Sequence, residues 1–371
     1  MASIRRLPDG RYQGQFRPVP GGKQVTRTSR RKADVQRWLN EQTAAVVTGQ
    51  YVDPVAGKIT FSGFYALWAE RQVWASGTRR AMDLAAGAVT FADVPLRLLR
   101  RSHVEDWVKA MQTADRGPRR ERGLAPGTIR TRFNNVRTVL RAAVADRRIT
   151  TDPSEGVRLP RGRRAEAAML LPTVDQVRDL LDAADAGFRP FVALCAFAGL
   201  RLGEAAAVQL GDVDAGALLL HVRRQVQRAK GAQVEITPPK YGSERTVFIP
   251  VGLAAMLNEH IERTRERRQD LPWLFLGAED LPPHQNTVGY WWHKTRAAAG
   301  VPTMHLHDLR HFFASGLIAA GCDVVTVQRA LGHSSPTVTL RTYAHLWPDA
   351  ADRTRTAAQG LMTNVGVVTN G

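Results

Sequence analysis

The whole net charge of this chain, +18, lies in its first 165 residues, which argues against one evenly mixed globule. Residues 1–60 carry a net +7 and residues 61–165 a net +11, while residues 166–371 balance at zero. An arginine-biased composition (45 Arg against 7 Lys) would have spread that excess along the whole length. Its confinement implies a segment that binds a polyanion, and a length of 371 residues implies two or three domains. Nucleic acid fits better than a membrane surface, because no basic amphipathic helix carries the Trp/Phe/Leu face such binding needs. The longest apolar run, Pro190 to Leu200, is too short to span a bilayer, and the Arg5-Arg6 start has no apolar leader. Cys195 and Cys322 lie in apolar helical patterns and read as buried thiols of a cytoplasmic protein.

Three segments emerge. In residues 1–58, the turn signals Pro8-Asp9-Gly10 and Pro20-Gly21-Gly22 bracket a run of period-2 alternation. Tyr12, Gly14 and Phe16 fall on one face and Arg11, Gln13, Gln15 and Arg17 on the other. A second basic strand, Lys23 to Ser29 with Arg27, follows, and then a helix carrying Trp38 and Leu39. A small sheet on a helix with a cationic outer face suits groove reading by strands, and an ordinary solvated hairpin fits this segment taken alone equally well. Residues 59–160 read as helical. Their clearest helix has Thr128 as its expected N-cap and a core stripe of Ile129, Phe133, Val136, Leu140 and Ala143. Arg130, Arg137 and Arg141 lie on its other faces, available to phosphates. Residues 161–169 read as a basic linker.

From about Leu170, helical patterns flank three strand candidates, Leu218–Val222, Val234–Ile236 and Thr246–Ile249. The overall expectation is a multidomain, mainly α chain with small β-sheets. The 170–350 segment holds cations at telling places despite its neutral sum. Arg201 and Glu204 form Arg-x-x-Glu, and Lys240 sits between two strand candidates. His307-Asp308-Leu309-Arg310-His311, Leu331-Gly332-His333 and Thr342-Tyr343 then follow in order. Taken singly, each is an ordinary surface or core residue. His305, His307 and His311 raise a metal site, but the Glu of a His-Glu-x-x-His motif is missing and clustered carboxylates are absent. No phosphate-binding Gly-x-x-x-x-Gly-Lys motif occurs, so no nucleotide, metal or other cofactor is expected.

That ordered set resembles the tyrosine recombinase, or phage integrase, family, over residues 170–346. The resemblance implies a mostly α catalytic domain with a short antiparallel sheet, preceded by a helical core-binding domain and a small arm-binding domain. It implies that Tyr343 attacks a DNA phosphodiester, giving a 3′-phosphotyrosyl link and a free 5′-hydroxyl. Arg201 and Arg310 would bracket the non-bridging oxygens with planar, permanently charged forks. Lys240 would protonate the leaving oxygen, His307 would accept the tyrosine proton or assist its transfer, and His333 would bond a non-bridging oxygen. Glu204 would orient the cations.

The resemblance further implies double-stranded attachment sites, a homotetramer on DNA, and a host DNA-bending protein and an excision factor as accessory partners. A chromosome-dimer-resolving or transposon recombinase shares the chemistry, as does a type IB topoisomerase working as a monomer. A non-catalytic DNA-binding regulator is the reading from another class, and the full set of catalytic positions argues against it. In the tail, residues 351–371, the apolar run 360–368 is expected to dock as a short strand on a neighbouring subunit.

Overall fold

The computed structural model describes the chain outside residues 1, 19–21, 23, 49–50, 52–54, 115–122, 162–170, 229–233, 348–349 and 366–371. Lys23, most of the 161–169 linker and the last residues of the expected docking strand therefore lie outside the described residues. The chain forms two compact units, Met1–Glu166 and Ala167–Gly371.

The first unit opens with strands β1 (Ala2–Arg6), β2 (Tyr12–Phe16) and β3 (Val25–Ser29), an antiparallel sheet in that order. Helix α1 (Lys32–Val47) covers one face, where Phe16, Val35, Trp38 and Leu39 form a small core. Gly14 is required there, because a Cβ would lie 2.6 Å from Val35 Cγ1. The register pairs Gln13 with Arg5 and Thr28, and Gln15 with Ser3 and Thr26, so these side chains share the outer face. Arg27 pairs with Gly14 and so belongs to the opposite face, exposed on an edge strand, while Arg5 lies on the outer face opposite Gln13. Arg11 is exposed but bonded to Asp9, its Nη2 2.6 Å from Oδ2.

A second core in this unit is built by α2 (Phe61–Glu70), α3 (Ser76–Ala86), α4 (Arg101–Thr113) and α5 (Pro126–Ala145). All five residues of the expected α5 stripe are buried. The helix begins two residues before Thr128, with Ala125 as N-cap and Pro126 at its first position. Proline is preset for the first turn and gives up only an amide that would have no partner there, so it displaces the threonine signal. Arg130, Arg137 and Arg141 are exposed, although Arg137 Nε also lies 3.6 Å from Asp152 Oδ2.

The second unit is mainly α. Its helices are α6 (Val174–Ala183), α7 (Arg189–Phe197), α8 (Leu202–Ala206), α9 (Val251–Arg263), α10 (Arg265–Arg268), α11 (Gln285–Ala298), α12 (Leu306–Ala319), α13 (Val324–Leu331), α14 (Pro336–Tyr343) and α15 (Ala350–Asn364). Strands β4 (Val213–Asp214), β5 (Leu219–Val222) and β8 (Arg245–Phe248) form one antiparallel sheet, while β6 (Gln225–Arg228) and β7 (Val234–Thr237) form a hairpin. The three expected strands are present within a residue or so of their bounds. β4 and β6 went unforeseen: one is two residues long, and the other reads Gln-Val-Gln-Arg, whose single buried aliphatic residue is Val226. Helix α7 is the centre of the core, with Pro190 to Ala196 all buried.

Cys195 is buried, and Cys322 is only partly covered. The tail departs from expectation. Residues 360–364 close helix α15 and are not a strand. The segment leading into them, rich in Ala with Arg and Gln, favours helix strongly enough to carry the apolar run with it. Among the described residues, no helix is long and apolar enough to cross a membrane.

Candidate active site

The site is assembled at the C-terminal end of α13. The last carbonyls of a helix have no partner inside it, and they present partial negative charge. Here three successive carbonyls each accept from a different arginine. Ala330 O takes Arg245 Nε at 2.9 Å, Leu331 O takes Arg310 Nη2, and Gly332 O takes Arg201 Nη2 at 3.2 Å. These arginines come from β8, from α12 and from the N-cap of α8, so one helix end fixes three distant parts of the chain.

Two glycines make this possible. Gly332 ends α13 in the left-handed conformation, at φ +62°, and an added Cβ would lie 2.9 Å from Arg245 Nη1. Gly199, at φ +63°, turns the chain between α7 and Arg201, and a Cβ there would meet the Phe313 ring at 2.4 Å. The Gly199 carbonyl also accepts from Arg310 Nη1. Arg310 is 1% exposed, and each of its terminal nitrogens is anchored by a carbonyl. Burial, then the nearby Arg201, lowers its pKa to about 9, which leaves it charged at neutral pH.

Glu204, 1% exposed on α8, is the counter-ion. Its Oε1 accepts from Arg201 Nη1 at 2.6 Å, and its Oε2 from Arg245 Nη2 at 2.9 Å and from the Arg201 amide at 3.0 Å. Burial alone would raise this carboxyl, but Arg245 and then Arg201 outweigh it and hold the pKa at about 2. Arg245 was not singled out from the sequence. A basic residue opening a strand after a turn is too common a pattern to have marked it.

Tyr343 ends α14 and is 1% exposed, packed with Ala314, Ile318, Val327 and Leu331. Burial raises its hydroxyl to about 12 against the opposing pull of Arg310 and Arg201. His311 Nδ1 lies 2.7 Å from the hydroxyl, and the His333 ring stacks 6.5 Å from the phenol ring at an interplanar angle of 13°. His333 Nδ1 also meets Thr339 Oγ1 at 2.9 Å. His307, on the exposed side of α12, makes no hydrogen bond to Tyr343; its ring meets His311 edge-on at 4.9 Å. Desolvation of its ring by the surrounding site, then His311, Arg310 and Arg201, pushes His307 down to about 4 although the residue as a whole is exposed, and burial with Arg310 and Arg201 does the same to His333. Both rings are neutral at pH 7. His311 was visible in the His-x-x-Arg-His string, but only as a potential metal ligand.

Lys240 is exposed at the start of a short turn, Lys240–Gly242, in the connection between β7 and β8. The structure thus brings Arg201, Glu204, Arg310, His333 and Tyr343 together, adds Arg245 and His311, and leaves Lys240 on a solvent-facing turn. Such a cluster can bind one phosphodiester between guanidinium groups, beside a phenol hydroxyl within hydrogen-bond distance of an imidazole.

A guanidinium cradle beside a tyrosine, on a mainly α domain with a short sheet, defines a DNA strand-transfer enzyme of the phosphotyrosine class. The phage integrase family matches residues 172–349, and the chain belongs to it. It is a site-specific tyrosine recombinase. Its sequence is 32% identical over 259 residues to the tyrosine recombinase XerD of Bifidobacterium longum, covering 67% of this chain and 78% of that one. It is 26% identical to a prophage phiRv2 integrase of Mycobacterium tuberculosis, over 92% of this chain and 90% of the relative. Its fold is similar to the Tn1549 transposon integrase solved with a circular intermediate DNA (TM-score 0.68, 18% identity, 81% of this chain and 99% of that one). It is also similar to a lambda integrase tetramer bound to a Holliday junction (TM-score 0.55, 17% identity, 90% and 96%).

Proposed function

We propose that the chain is the integrase of a phage or prophage, cutting and rejoining duplex attachment sites as a DNA-bound tetramer through Tyr343. The observation that carries this reading is the anchoring of Arg201 and Arg310 on adjacent carbonyls of one helix end, in the same site as Tyr343. A guanidinium held this way keeps its remaining N–H donors for phosphate and needs little reorganisation when charge develops in the transition state. Oη of Tyr343 bonds to phosphorus and the bond to the 5′-oxygen breaks. Lys240, exposed on its turn, supplies the proton to the leaving oxygen once DNA lies over it. The 5′-hydroxyl of a partner strand then reverses the step, so the phosphotyrosine conserves the bond energy and no nucleotide is consumed.

Coverage supports the phage reading over chromosome-dimer resolution. The prophage integrase matches 92% of this chain, whereas the XerD match spans 67%. On this reading, residues 1–58 bind arm-type sites through Arg5, Gln13, Gln15 and Arg17, with Arg11, Lys23 and Arg27 near the backbone. Residues 59–160 bind the core through Arg130, Arg137 and Arg141, residues 170–350 are catalytic, and residues 351–371 dock on a neighbour. A host bending protein and an excision factor complete the assembly. The test is a two-site recombination assay beside a plasmid-relaxation assay. Recombination with integrated product supports an integrase; relaxation without recombination would assign a topoisomerase.

A further inference from the structure

The hydroxyl of Tyr343 has a single hydrogen-bond partner among the described residues, and it is not the histidine of the His-x-x-Arg pair. We infer that His311 takes the Tyr343 proton during strand cleavage and returns it during rejoining. This rests on Tyr343 being the nucleophile.

The geometry is specific. His311 Nδ1 lies 2.7 Å from Tyr343 Oη, and the two rings meet edge to face with centroids 5.6 Å apart. His311 follows Arg310 directly on α12, so one helix supplies both a phosphate clamp and the base. When Nδ1 accepts, the ring proton sits on Nε2, which no described residue engages; the ring is only partly buried, so water can relay the proton. His307, Asp308 and Arg310 face His311 from its own helix, Tyr343 faces it from α14, and the His333 ring lies nearly parallel to the Tyr343 ring with centroids 6.5 Å apart. Burial lowers the His311 pKa and Arg310 adds to that, while Asp308 opposes it, so the ring is neutral and able to accept.

At rest the proton belongs to the phenol, which is far less acidic than an imidazolium. As Oη bonds to phosphorus its acidity climbs, and transfer to Nδ1 becomes downhill within that same step. The proton leaves Oη for Nδ1, the Oη–P bond forms, the P–O5′ bond breaks, and the 5′-oxygen takes a proton from Lys240. In rejoining, the imidazolium protonates the departing Tyr343 oxygen. A base acting in both directions changes the rates of cleavage and religation equally.

The experiment uses the full chain and nicked duplexes recovered from a random-sequence pool by covalent capture on the wild-type protein. Single-turnover adduct formation and religation are followed from pH 5 to 9. Wild type should slow towards the acid end of that range, on a limb lying below the ordinary histidine value of about 6.5, because burial and Arg310 hold the ring lower. His311→Asn should slow cleavage and religation by the same factor, about 100-fold or more, lose that acid limb, and bind DNA as wild type does. His311→Ala should regain part of its rate in buffered imidazole, which a packing defect would not allow. His307→Gln should keep the acid limb. The inference is overturned by a His311→Asn rate within about threefold of wild type or above it, or by slowing with the limb intact and no imidazole rescue. Peptide mapping separates the two claims. An adduct on another tyrosine removes the nucleophile reading itself, whereas an adduct on Tyr343 with normal His311→Asn kinetics removes only this one. Should the asparagine variant melt early, the imidazole rescue of His311→Ala decides alone.

Discussion

Arg245 Nη2 and Arg201 Nη1 lie 2.9 Å and 2.6 Å from opposite oxygens of the same carboxylate, that of the buried Glu204. One anion is thus shared by two of the three clustered guanidinium groups, and the cluster keeps a net positive charge. Glu204→Gln should destabilise the second unit by an amount that depends on pH. The folded carboxyl titrates at about 2 against an ordinary 4.5, so its stabilisation is fully present above 4.5 and is lost as pH falls through about 2. The gap between wild type and variant should be of order 3 kcal/mol at pH 7 and shrink towards pH 2. Urea titrations at a series of pH values check this, and a gap independent of pH would refute it.

Tyr343→Phe should abolish the covalent DNA adduct with DNA affinity nearly intact. Arg310→Lys should slow cleavage by about 100-fold or more, because an ammonium cannot span the two carbonyls and a phosphate together. Adduct gels and peptide mapping read both outcomes. An adduct that maps to the exposed Tyr290 would refute the first.

Gly332→Ala should cost at least 1–2 kcal/mol, from the left-handed backbone and from the approach to Arg245. Cleavage should fall further than stability, since the Gly332 carbonyl carries Arg201. Thermal melting beside single-turnover cleavage separates the two effects.

Salt dependence tests the N-terminal sheet. Arg5→Ala, on the outer face, should lower the log–log salt slope of binding to full attachment sites by about 0.9 for each phosphate that is no longer neutralised. Deleting residues 1–58 should flatten it further while leaving core-site cleavage possible. An unchanged slope in the truncated protein would show that this segment does not bind DNA.

Leu361, Met362 and Val365 are exposed on and just beyond α15. Removing residues 358–371 should weaken the DNA-bound tetramer and leave the melting of the second unit unchanged. Native gels of nicked-site complexes read the assembly. A truncated protein that forms tetramers normally would free the tail of any docking role.

The sequence made Arg201, Glu204, Arg310, His333 and Tyr343 legible because each sits in a short motif at fixed spacing. The α5 stripe and the Tyr12–Phe16 alternation were legible because burial imposes a period. Arg245 and His311 were not, since their roles depend on what lies across the fold, the Ala330 carbonyl in one case and the Tyr343 hydroxyl in the other. The face of Arg27 was hidden for a related reason: register with Gly14, not alternation within one strand, decides it. In the tail, β-branched valines suggested a strand, but the helix-forming residues before them won.

The run 330–332 also sets how this chain can tolerate changes in length. Successive helical residues point about 100° apart, which sets the Ala330 and Leu331 carbonyls, and the left-handed turn sets that of Gly332, so the three match three arginines only in one register. Deleting or inserting a single residue there would misalign all three at once, whereas the turn at Gly321 between α12 and α13 holds none of these hydrogen bonds. Natural insertions and deletions in this region should therefore gather around residues 320–323 and avoid the end of α13.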